Sequence, residues 1–155
     1  MKQPVVYDKA KYHRESVQLA GLDEVQAEVH TAFFLGWLID NELVDAEFTE
    51  ESGDLLRRYR AREVKATDVY GYWDCCLIDD MLSPEGNAFA QHYFDLQSGQ
   101  YIDDYIRLLA SDLPSEFHVA NTWENYDVIQ KCIDARFADW NSRSARSNRP
   151  WWRFW

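Results

Sequence analysis

The sequence predicts an all-α fold: a compact single domain of about six helices, with an irregular N-terminal arm and an aromatic C-terminal tail packed back on the body. Three observations predict it. Pro and Gly are sparse, four and six in 155 residues, so little in the chain forces a break. Apolar residues recur at three- and four-residue spacing over most of its length, the period of a helix face. Helix start signals precede several of those runs. With 46% apolar and 15% aromatic residues the chain can build a core and is too hydrophobic for disorder. Residues 1–140 are read as the helical domain with its arm, and 141–155 as a basic-aromatic tail.

The arm, "QPVVYDKAKYHRESVQLAGL", shows no sustained period. In "DEVQAEVHTAFFLGWLIDNEL" Asp23 is a candidate cap with Gln26 as its reciprocal partner. Val25, Val29, Ala32, Gly36, Ile39 and Leu43 keep helical spacing, and the stretch from Ala32 to Ile39 is apolar nearly all round. Such a helix belongs at the centre, with Gly36 marking a close approach. A second, more exposed helix is predicted over "TEESGDLLRRYRAREV" with Thr49 as cap. A third runs from Thr67 through "TDVYGYWDCCLIDDML", with Val69, Trp73, Cys76 and Leu77 inward. In "SPEGNAFAQHYF" Ser83 caps, Pro84 takes the first helical position and Glu85 the first turn. "YIDDYIRLLA" is a short helix closed by "SDLPSE", and "FHVAN" is the one candidate strand. Thr122 then caps the clearest amphipathic helix, whose seam is Tyr126, Ile129, Ile133, Phe137 and Trp140.

Motifs of catalysis are missing. No GxSxG, Walker, dinucleotide or HExxH pattern is present, nor the Glu-x-x-His pair of di-iron bundles. His92 and Asp95 could share a helix face, but a metal needs more ligands than that pair, so no metal and no cofactor is expected. Cys75 and Cys76 are adjacent and ringed by Asp74, Asp79 and Asp80, an electronegative setting that opposes a thiolate nucleophile. No apolar run reaches the ~20 residues of a membrane span, and the N-terminus lacks a signal-peptide pattern. A cytoplasmic protein with no membrane partner is expected.

Charge is the informative feature. The net charge is -11. Between Ala66 and Trp140 fourteen Asp/Glu face only Arg107, Lys131 and Arg136, whereas 141–155 hold four Arg and no acid. An acidic body disfavours nucleic acid, which needs a basic footprint, and favours a basic protein. The candidate contacts are Asp79, Asp80, Asp103, Asp104, Asp112 and Glu116, with Tyr101 and Tyr105 as aromatic anchors. In the tail, Trp151, Trp152, Phe154 and Trp155 can each cover ~150–250 Å² and are predicted to clasp the body, with the Arg residues meeting its acids. An anionic membrane would repel such a body.

The segments "YDKAKYH", "HTAFFLGWLIDNELV", "RAREV", "SPEGNAFAQHYF", "YIDDY", "TWENYDVIQKCIDARFADW" and "RPWWRFW" together resemble a family of small uncharacterised bacterial proteins carrying a domain-of-unknown-function label. The resemblance covers nearly the whole chain. It implies no activity; proteins of this type are found beside toxin genes as candidate immunity proteins. "DCCLIDDML" departs from it, since relatives are expected to carry a more polar, Gly-containing turn there. The expected function is therefore a non-catalytic, immunity-type binding protein, a monomer or weak homodimer that occludes a cationic toxin or enzyme. The alternatives are a small enzyme built on His30, His92 and nearby carboxylates, and a structural or regulatory homo-oligomer.

Overall fold

The structure is a computed structural model and describes residues 3–95 and 97–147. Among them are eight α-helices and one two-stranded sheet. Helix α2 (Val29–Asp40) is the axle: every residue from Val29 to Ile39 is buried, as its all-round apolar sequence requires. Around it lie α5 (Ala66–Tyr72), α6 (Pro84–Tyr93), α7 (Tyr101–Tyr105) and α8 (Trp123–Ser147). The core they share is aromatic. Phe34 stacks on Phe94 with ring centroids 4.7 Å apart, and Trp37 meets Phe89 and Phe137 at 5.3 and 5.2 Å. Each such ring is worth roughly 1.5–3 kcal/mol of burial. The Trp37 indole N–H is satisfied by Asp134 of α8 at 2.8 Å.

Local chemistry explains most boundaries. Ser83 accepts the Gly86 N–H at 3.0 Å and Thr122 accepts the Asn125 N–H at 3.2 Å, so α6 and α8 start where the sequence predicts. Tyr126, Ile129 and Ile133 of the predicted seam are buried, and Phe137 and Trp140 pack against the core half-buried. Helix α8 continues without a break past residue 140. The exposed second helix is two helices, α3 (Ala46–Ser52) and α4 (Asp54–Arg60), because Gly53 adopts φ 57° and ψ -131°, a conformation closed to other residues. Its cap is Asp45, which accepts the Glu47 N–H, and Thr49 sits inside α3. Asp23 makes no capping bond: Glu24–Ala27 form a 3-10 turn, and the Gln26 amide reaches the carbonyls of Phe117 and Val119, both at 2.8 Å. Those carbonyls lie in "FHVAN", which is a 3-10 turn over Glu116–His118 and not a strand.

Two further expectations are corrected together. The arm is ordered: β1 (Val6–Lys9) leads through a 3-10 turn into α1 (Arg14–Leu19). The predicted helix from Thr67 stops at Tyr72. Asp74 and Cys75 take left-handed φ of 58° and 52°, and Cys76–Ile78 form β2. β1 and β2 pair antiparallel with Val6 opposite Ile78, Asp8 opposite Leu77 and Lys9 opposite Cys76. Each strand supplies the ladder the other lacks, a non-local pairing that overrides the helical spacing of Trp73, Cys76 and Leu77.

Candidate functional site

The predicted contact residues do not share one surface. Asp104 is 3% exposed, and Tyr101 and Tyr105 are fully buried, so these three are not exposed anchors. Adjacent helical residues point about 100° apart, which sends Asp103 outward and Asp104 inward. The inward carboxylate accepts from the Tyr93 hydroxyl (2.7 Å), from Arg136 through two nitrogens (both 2.9 Å) and from Arg107 (3.1 Å). Burial raises its pKa, and these donors outweigh that and hold it down at about 2. The Tyr101 hydroxyl donates to the His30 carbonyl at 2.6 Å. Asp103, Asp112 and Glu116 belong to α7 and the segment after it, which do not line the acidic cleft described next. Residues 151–155, where the tail clasp was expected, lie outside the described residues.

Asp79 and Asp80 meet two acids from a distant part of the chain. With Asp45 and Glu47 they line an open cleft of about 740 Å³, to which Leu82 and Pro84 also contribute. Glu47 and Asp80 also border an adjoining groove of about 210 Å³, whose apolar wall is Phe48, Trp73, Ile78 and Met81. Phe48 and Trp73 stack at 4.8 Å, and the Trp73 indole donates to Ser52 Oγ at 2.9 Å. Tyr72, 59% exposed, packs edge-on against Trp73. Asp79 also holds the fold together, since its carboxylate accepts the Val5 N–H at 2.9 Å next to the start of β1. Asp45 and Glu47 are not legible as its neighbours in the sequence because they stand 34 and 32 positions before Asp79. The bridge between Val44 and Leu82 and the Asp45 N–H bond to the Met81 carbonyl bring the two segments side by side.

A second constellation lies under β1. Asp8 is 1% exposed. Its carboxylate accepts from His13 Nε2 at 2.8 Å and from Thr31 Oγ1 at 2.5 Å, and His30 Nε2 stands 3.3 Å away. Burial pushes the carboxyl pKa up, but the bonds from His13, His30 and Thr31 and the field of His30 hold it well below the usual range. The imidazoles of His13 and His30 meet edge to face at 4.8 Å, with Phe117 packed on both. Asp8 and His13 line a cavity of about 360 Å³ together with Tyr7, Tyr12 and Gln91. Chemically the set is a carboxylate–imidazole pair able to move a proton, or two nitrogens and an oxygen able to ligate a cation. Sequence reasoning misses Asp8 and His13 because their partnership with His30 depends on the strand and turn of an arm that shows no period.

The other groups singled out are placed differently. His92 is exposed and stacks on Trp140, and Asp95 caps its own turn through Gln97 N and Ser98 Oγ, so the two do not act as a pair. Cys75 is half-buried; burial and the neighbouring Glu28 push its thiol up to about 11, the opposite of an activated nucleophile. Among the described residues no helix is long and apolar enough to cross a membrane.

A family model described as Domain of unknown function (DUF7832) matches residues 6–119, a range that begins at β1 and holds both the acidic cleft and the Asp8 cluster. No curated protein and no solved structure matches the chain.

Proposed function

The chain belongs to the family of the Domain of unknown function (DUF7832), and we propose that it is a non-catalytic binding protein that occludes a basic protein through the Asp45–Glu47–Asp79–Asp80 face. One observation carries this reading: four carboxylates from two distant segments converge on one cleft beside an apolar groove. The carboxylates provide a field that steers a cationic partner and speeds encounter. The Phe48–Trp73 groove, with Tyr72 at its edge, provides the desolvated aromatic anchor in which interface energy concentrates. An immunity-type role in a bacterial cytoplasm, against a toxin or enzyme rich in Lys and Arg, fits that chemistry. Nucleic acid and anionic lipid do not.

The test is kinetic. The full chain serves as bait in an extract of its native host, and the captured basic protein is measured against wild type and a Glu47→Lys/Asp80→Lys variant. Both side chains are exposed and neither caps an element through its carboxylate. The variant is expected to slow association about tenfold or more at low salt and to leave dissociation nearly unchanged. Failure to capture any basic protein, or equal association rates for the two chains, overturns the reading.

A further inference from the structure

We propose that Asp8, His13 and His30 form a site for a divalent metal ion of the zinc class, independent of the binding face above. Their potential ligand atoms all lie within 4.8 Å of one another. Ligands about 2.0–2.1 Å from a tetrahedral zinc stand about 3.3 Å apart. The 3.3 Å between His30 Nε2 and Asp8 Oδ2 already has that spacing; His13 Nε2 stands 2.8 Å from the other carboxylate oxygen, Oδ1, and must shift for one ion to meet all three side chains. Two imidazoles with one carboxylate suit zinc; calcium and magnesium prefer all-oxygen sets and copper(I) prefers sulfur.

Charge points to an occupant. A carboxylate this deeply buried needs a compensating cation, and among the described residues the ion-pair partners of Asp8 are His13 and His30 alone, with no Lys or Arg. A divalent ion held among the three side chains supplies that cation. Among the described residues His30 Nδ1, the ring nitrogen that does not face Asp8, is buried without a hydrogen-bond partner, and ordered water there would hold the ring as an outer group does. Thr31, donating to Asp8 Oδ2, is the outer group that orients the ligand. His13, 19% exposed, opens on the cavity of about 360 Å³ and leaves a coordination position for water, the arrangement of an open zinc site.

The experiment uses the full chain, stripped with a chelator and dialysed against zinc, and then separately against cobalt(II). One zinc per chain by elemental analysis and the visible bands of four-coordinate cobalt are expected. His13→Gln should weaken zinc binding by about a hundredfold or more, while His92→Gln, exposed and distant in sequence from the cluster, should leave it unchanged. Wild type that retains no zinc and shows no cobalt bands overturns the site, as does equal weakening by the two variants. Should His13→Gln fail to fold, the wild-type cobalt spectrum decides alone.

Discussion

A Cβ built on Gly36 would overlap the Tyr59 hydroxyl and press on the Ala66 Cβ at 3.2 Å. Tyr59 cannot swing away cheaply, being 1% exposed and packed on Trp123 with ring centroids 5.5 Å apart. In an open helix Gly→Ala would gain about 1 kcal/mol of propensity, but overpacking a filled core costs about 1–3 kcal/mol. Gly36→Ala is therefore expected to lose up to about 2 kcal/mol net, read from the urea midpoint at unchanged slope. A midpoint equal to wild type would mean that Tyr59 yields. This contact was legible as a small residue in the middle of an all-apolar helix. The fate of Asp103 and Asp104 was not, because a pair of acids in sequence carries no sign of which one the core will enclose.

Asp104 shows how one carboxylate can fasten elements: it sits on α7 and binds Tyr93 of α6 and Arg136 of α8. Its folded pKa of about 2 lies below the ~3.9 of an unfolded Asp. A depressed carboxyl contributes stability that is complete above the unfolded value and is lost as pH falls through it towards the folded one. The contribution is of the order of 1–2 kcal/mol, since Arg107 and Arg136 are 60% and 38% exposed and water screens them. Asp104→Asn should accordingly be less stable than wild type at pH 6, with the gap narrowing by that amount between about pH 5 and pH 2. A gap independent of pH would assign the loss to packing alone. At this scale the sequence was clearest where local signals suffice: the caps at Ser83 and Thr122 and the seam of α8. It failed where partners are far apart in the chain. Nothing near Val6–Lys9 or Cys76–Ile78 announces a strand, since each becomes one only against the other. The Asp8 cluster shares this cause, because β1 carries Asp8, the following turn leads to His13, and His30 arrives on α2.

The net charge of -11 belongs to the molecule as a whole, and it acts on folding and on binding with opposite signs. Like charges on a compact body repel, so an acidic chain is held below its attainable stability. Salt shortens the Debye length from about 10 Å at 0.1 M to about 3 Å at 1 M and relieves that repulsion. The exposed ion pairs Arg57–Asp54, Arg62–Asp127 and Arg143–Asp139 weaken at the same time, but pairs of this kind contribute only about 0–1 kcal/mol each. Repulsion among 27 acids against 16 bases should dominate. The melting temperature is thus expected to rise by a few degrees, on the order of 1 kcal/mol, between about 0.05 and 0.5 M sodium chloride. Association with a basic protein should slow over the same range, since screening removes the steering field. The two trends together identify one field acting on both. A melting temperature that falls with salt would mean that the acids are already balanced by neighbouring bases, and the Asp45–Glu47–Asp79–Asp80 face would then have no long-range attraction to offer a partner.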